Sequence, residues 1–113
     1  MSKFDEVVAK AINQLNDVGI KDVNESLLRA IVKSQGPSVY LRDASLVSCS
    51  DEAELKRVED NFLVKKLGVT DQKTIDSALK KACDKFSSIR QKMRVAFYYF
   101  LVKELGKENK FLM

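Results

Sequence analysis

Four glycines divide this chain into segments whose apolar residues recur every three or four positions, a period that an α-helix turns into one buried face. Gly19 follows Phe4, Val7, Val8, Ala11, Ile12 and Leu15, and Ser2 with Asp5 three residues on has the form of an N-terminal cap. The spacing predicts a first helix from roughly Ser2 to Val18. Asp22 with Glu25 opens a second helix, which buries Leu27, Leu28, Ile31 and Val32 and stops at Gly36-Pro37. Asp51 with Glu54 opens a third, with Leu55, Val58, Phe62 and Leu63 inward and Gly68 as terminator.

The fourth helix begins near Thr70 or Asp71 and carries Ile75, Ala78, Leu79, Ala82, Cys83 and Phe86 on one stripe. Ser88 with Gln91 has the grammar of a cap for a fifth helix, whose inward set is Ile89, Met93, Ala96, Phe97, Phe100, Leu101 and Leu105, closed by Gly106. Val95, Tyr98, Tyr99 and Val102 cover its other sides. A helix apolar nearly all round belongs in the middle of a bundle.

Connections at 19–22, 68–71 and 87–88 are short, which suits antiparallel neighbours in a small bundle. Residues 36–50 form the exception: a 15-residue crossover without helical periodicity. Val39, Leu41, Leu46 and Val47 allow it a turn of 3₁₀-helix or a short strand pair packed on the bundle. At 113 residues, 45% of them hydrophobic, the chain reads as a single, mainly α-helical domain over 1–113, with about five helices and an ordered crossover at 36–50. Phe62 to Gly68 recurs as Phe100 to Gly106 with six of seven positions the same. The match stops abruptly upstream, so both stretches read as helix ends of similar construction, not as units of a repeat array.

The chain has no histidine, which excludes Ser-His-Asp and Cys-His nucleophiles, His-ligated zinc and histidine pH switches. Two cysteines are too few for a Cys-only zinc site, and the N-terminus lacks the apolar run of a signal peptide. Cys49 and Cys83 are therefore expected as reduced thiols, Cys83 on the apolar stripe of the fourth helix. The longest apolar run, Val95 to Val102, falls far short of the roughly 20 residues of a membrane span. A cytoplasmic location follows as an expectation, and the Asn24-Glu25-Ser26 sequon reads as accidental. No metal site or cofactor is implied.

Chemistry has few places to reside. Ser77-x-x-Lys80 has the spacing of a serine–lysine pair but lacks its companion elements and lies off the apolar stripe. No phosphate-binding glycine loop occurs. Ser48-Cys49-Ser50-Asp51 delivers a thiol and two hydroxyls to a helix start, where Asp51, Glu52 and Glu54 satisfy the helix end and repel anions. A capping role with a partly buried cysteine is the preferred reading over a reactive Cys49.

Charge is uneven. Residues 71–113 carry ten basic and five acidic side chains, so the net +4 of the whole chain arises there. Lys80, Lys81, Lys85, Arg90, Lys92 and Arg94 face only Asp84, and on a helical wheel Lys92, Tyr99 and Lys103 share a side. The candidate basic face is thus Lys81, Lys85, Arg90, Lys92, Arg94 and Lys103, the footprint of a weak nucleic-acid or anionic-surface binder.

Gly36-Pro37-Ser38-x-Tyr40, then Asp43-Ala44-Ser45-x-Val47-Ser48-Cys49-Ser50-Asp51-x-x-Glu54-Leu55, then Asn61-Phe62-Leu63-x-Lys65-Lys66-Leu67-Gly68 resemble the small bacterial family labelled domain of unknown function 2853. The likeness continues through Arg94-Val95-Ala96-Phe97-Tyr98-Tyr99 and Lys103 to Glu108. It implies a small, mainly helical bacterial protein and carries no activity, ligand or catalytic residue. Its most recognisable stretch is the crossover. Gly-Pro and the Ser/Asp caps there are first read as fixing a difficult backbone path; alternatively Ser38, Tyr40, Ser48, Cys49 and Ser50 line a small polar pocket.

The leading expectation is a non-enzymatic binding or protein–protein interaction module, with self-association among its candidate modes. Tyr98, Tyr99, Val102 and the tail Phe111-Leu112-Met113 would supply an apolar patch. Nucleic-acid binding through the basic face comes second, and a small enzyme using Cys49 or carboxylates third.

Overall fold

The computed structural model describes residues 2–41 and 45–111, with the side chain of Ser38 outside that description. Among the described residues five α-helices run in the order α1 (Lys3–Asp17), α2 (Glu25–Gln35), α3 (Glu52–Val58), α4 (Gln72–Lys85) and α5 (Arg94–Leu105). A 3₁₀ turn (Gly36–Tyr40) follows α2, and a π-helical stretch (Glu59–Val64) prolongs α3. Strands β1 (Leu46–Val47) and β2 (Lys92–Met93) pair antiparallel, Leu46 opposite Met93 and Val47 opposite Lys92.

The caps explain where the helices start. Ser2 accepts from the Asp5 amide at 3.1 Å, Asp51 from Ala53 and Glu54 at 3.0 and 3.3 Å, and Asp71 from Thr74 at 3.1 Å. Each satisfies an amide that the helix itself leaves unpaired. The second helix departs from the sequence reading: its cap is Asn24, which accepts from Leu27 at 3.1 Å, and not Asp22. Asn24 is favoured because its own amide donates to the Tyr99 hydroxyl at 2.8 Å, which pins that residue to α5.

The fifth helix also starts later than Ser88. Residues 92 and 93 are strand, and the amides a helix would have used are engaged elsewhere. Met93 donates to Gln14 Oε1 at 2.9 Å and Arg94 to the Ser45 carbonyl at 2.7 Å. Pairing with β1 thus overrides a local cap sequence. Of the two alternatives read for the crossover, it holds the 3₁₀ turn, while its strand pairs not within 36–50 but with residues 92 and 93, beyond α4.

α5 occupies the middle. α1, α2 and α4 pack against it, and Val95, Ala96, Phe97, Tyr98, Tyr99, Leu101 and Val102 are all buried. Phe97 and Phe100 meet Phe86 of α4, while Phe62 of the π stretch stacks on Tyr98 with ring centroids 3.8 Å apart. The expected apolar patch is absent: Tyr98, Tyr99 and Val102 are 4%, 1% and 0% exposed. Phe111 lies near the Phe62 ring, with the Lys66 ammonium over its face, and Leu112 and Met113 fall outside the described residues. The large apolar side chains exposed among the described residues are Tyr40 and Leu41.

The two cysteines are not reduced thiols. Cys49 and Cys83 form a disulfide, their Cα atoms 5.8 Å apart across a sequence separation of 34. The turn at 48–51 carries Cys49 onto the last part of α4, a long-range approach that no local pattern announces. No helix among the described residues is long and apolar enough to cross a membrane.

Candidate functional site

The disulfide stands as a ridge between two open grooves. On one side lies a groove of about 550 Å³, walled by residues 46–51 of the crossover and by Ser87, Arg90, Gln91 and Lys92 of the α4–β2 connection. On the other lies a more apolar groove of about 410 Å³ between α3 and α4, with Leu55 and Leu79 among its walls. Both cysteines are half-buried and line both grooves.

The larger groove rests on a buried ion pair. Arg94, the first residue of α5, reaches Glu54 of α3 and also donates to the Leu46 carbonyl at 3.0 Å and the Tyr98 hydroxyl at 3.1 Å. Arg57 holds the other carboxylate oxygen of Glu54 at 2.7 Å. Burial by itself would raise the Glu54 pKa, but hydrogen bonds from Arg57 and Arg94 together outweigh it and hold the carboxyl below its ordinary range. Burial pushes the Tyr98 phenol up, partly offset by the Arg94 guanidinium. These groups fix α3, β1 and α5 to one another, with their polar atoms directed at one another.

The groove's rim differs. Among the described residues the side chains of Ser87, Arg90 and Gln91 have no hydrogen-bond partner. Ser48 and Ser50 bond to each other through their hydroxyls at 3.2 Å, and Asp51 is engaged in capping α3. The Lys92 ammonium is drawn back to the Ile89 carbonyl at 2.8 Å. The rim donors without a partner are therefore a guanidinium, a hydroxyl and an amide, a set suited to a carboxylate or another oxyanion; Asp51 and Glu54 line the same groove, and their charge is met by the α3 amides and by Arg57 and Arg94 respectively.

Of the five residues proposed for a polar pocket, the structure gathers three. Ser48, Cys49 and Ser50 line this groove, and the Cys49 sulfur is bonded and holds no thiol. Tyr40 lines a separate groove of about 610 Å³ against α1, and the Ser38 side chain lies outside the described residues. Ser87 and Gln91 were missed. The cap reading of Ser88 with Gln91 assigned Gln91 to a helix that in fact starts at Arg94, and Ser87 fell in the short connection before it.

The basic face is largely dispersed. Arg94 is interior, Lys81 pairs with Glu104 at 2.8 Å and Lys103 with Glu108 at 3.5 Å. Tyr99, assigned to that face by the wheel, is buried and bonded to Asn24. Lys92 lies in β2 and not on the helix at all, so the wheel did not apply to it. Of the six, Lys85 and Arg90 have side chains without any hydrogen-bond or ion-pair partner among the described residues, and Lys92 bonds only a backbone carbonyl. Ser77 and Lys80 are both exposed, and Lys80 pairs with Asp84 at 3.4 Å. Among the described residues no group of three or more Cys, Asp or Glu side chains is placed to hold a metal ion.

Residues 8–109 match the model of the family described as "Protein of unknown function (DUF2853)". The chain belongs to this family. The DUF2853 match runs from within α1 to beyond α5 and so takes in both cysteines, the Glu54–Arg94 pair and every wall of the groove shared by Ser48 and Arg90. No curated protein matches the chain.

Proposed function

We propose that this DUF2853 protein is a non-enzymatic binding module that receives an acidic segment of a protein partner in the groove beside Cys49–Cys83. The observation that carries this reading is the set of unpartnered donors of Ser87, Arg90 and Gln91 over one open groove, beside lysines and arginines engaged elsewhere. Arg90 supplies a planar, bidentate fit to a carboxylate, and the neighbouring hydroxyl and amide fix its orientation. The groove's size falls within the range of ordinary ligand sites.

Two other readings lose support. Nucleic-acid binding needs several phosphate contacts, and the dispersed basic face offers few free cations. Self-association through an α5 patch has no exposed apolar surface on which to act, because Tyr98, Tyr99 and Val102 are interior.

The test is a titration of ¹⁵N-labelled protein with a glutamate-rich peptide. Chemical-shift changes should cluster at Ser48, Ser50, Ser87, Arg90 and Gln91, and Arg90→Glu should abolish them while leaving the melting temperature within about 1–2 °C, since Arg90 is exposed. Shifts spread evenly over all exposed lysines, or unchanged by Arg90→Glu, would defeat the proposal.

A further inference from the structure

We infer that Cys49–Cys83 is a reversible thiol–disulfide exchange site, whose reduction by a thiol removes the ridge and joins the two grooves it divides. Position carries the inference. The disulfide lies outside the fully buried core and is half-exposed, with open space on both of its flanks, so an attacking thiolate can approach without unfolding the protein. Among the described residues no hydrogen bond or ion pair joins residues 46–51 to α4, so the disulfide is the tie between these two walls.

Each wall is anchored without it. Residues 46–51 are held by the β1–β2 pair, by the Arg94 bond to the Leu46 carbonyl and by the Asp51 cap. α4 is seated by Ile75, Ala78, Leu79 and Ala82, with Phe86 at its end against Phe97. Reduction therefore frees the turn at 48–50 from α4 while the bundle stands. The same anchors keep the two cysteines near each other, so the bond re-forms within the chain.

The exchange balances as follows. The thiolate of a reductant attacks one cysteine sulfur, the Cys49–Cys83 bond breaks, and the other cysteine leaves as a thiolate that takes a proton from water. A second reductant thiol attacks the resulting mixed disulfide and releases the first cysteine. Two reductant thiols become one disulfide, and the protein gains two electrons and two protons. The exchange itself does not rest on the function proposed above.

The experiment uses the full chain in native buffer over a series of reduced-to-oxidised glutathione ratios. Free thiols are counted by maleimide labelling and intact mass, and backbone amide exchange is followed at each end of the series. Zero and two free thiols should interconvert fully and reversibly without denaturant, helical circular dichroism should be retained, and amides in 46–51 and at the end of α4 should exchange about tenfold faster when reduced. Reduction that occurs only in denaturant, two free thiols throughout the oxidising range, or loss of cooperative melting on reduction would each overturn the inference. The Cys49→Ser/Cys83→Ser double variant reads the same point independently: it should fold and show the reduced-state exchange pattern, and its failure to fold would make the disulfide a staple only.

Discussion

Glu54 and Arg94 lie 40 residues apart in the sequence and form an ion pair at the meeting point of α3, β1 and α5, with side chains only 11% and 16% exposed. A pair so far removed from water contributes through what its loss leaves behind. Among the described residues, without Glu54 the Arg94 guanidinium would keep only uncharged acceptors, and without Arg94 the Glu54 carboxylate would keep only the exposed Arg57.

Replacing Arg94 by Met should therefore cost about 3–5 kcal/mol in urea unfolding at neutral pH. Arg94→Lys should recover less than half of that, because one ammonium cannot serve Glu54, the Leu46 carbonyl and the Tyr98 hydroxyl in the geometry of a guanidinium. The double change Glu54→Met/Arg94→Met should be less damaging than the sum of the single ones. Simple additivity would mean that the two side chains are not coupled.

Acid should weaken the fold through the same carboxyl. The folded-state pKa of Glu54 lies below its ordinary value, so the unfolded chain takes up the proton first, and the stabilisation is fully present above the ordinary carboxylate range. It disappears as pH falls below about 4 toward the depressed folded value. Melting curves of wild type and Glu54→Gln between neutral and acid pH should differ most at neutrality and converge in acid. A constant gap would assign the acid sensitivity to other groups.

Tyr99→Phe isolates a hydrogen bond from its ring. The ring is buried against the bundle and its hydroxyl accepts from the Asn24 amide at 2.8 Å. The variant should lose about 1–2 kcal/mol, since a partly buried amide at the start of α2 is left unpaired while packing is kept. Local amide exchange should rise at Asn24 and in the first turn of α2.

Gly36 ends α2 with φ 65° and ψ −151°, a conformation that glycine adopts and other residues avoid, although a methyl group there would meet nothing within 4 Å. Gly36→Ala should cost about 1–3 kcal/mol through backbone strain alone. Gly106, in the left-handed helical region at φ 65° and ψ 35°, should tolerate alanine at about 1 kcal/mol. Equal losses at the two sites would contradict the difference in backbone region.

Reduction of the disulfide should lower the melting temperature by roughly 10–15 °C and leave the transition cooperative. The separation of 34 residues gives a loop whose release adds about 3–4 kcal/mol of chain entropy to the unfolded state. Calorimetry of the oxidised and reduced forms measures the difference directly.

Local grammar was legible in the sequence where no distant contact competed with it. Ser2 and Asp51 cap as their spacing predicts, and Asp71 caps the fourth helix at one of the two starts read for it, because a side-chain oxygen just ahead of a helix needs only that helix to act. Asn24 supplanted Asp22 because Tyr99 selects it, and Ser88-Gln91 failed as a cap because residues 92 and 93 pair with 46 and 47. The site fared worse for the same reason. Cys49 meets Cys83, and Ser48 shares a groove with Arg90, through approaches across the bundle that periodicity cannot register. Tyr99 was placed on a basic face because a wheel assumes one side of a helix meets solvent, whereas α5 is enclosed.

That enclosure bears on how the chain is made. α1, α2 and α4 all pack on a helix that begins at Arg94, after every one of them in the order of synthesis. As the polypeptide grows, these helices emerge with their apolar stripes turned toward a neighbour that does not yet exist. α1 and α2 also meet each other directly, but the shared core cannot be completed until α5 has been made.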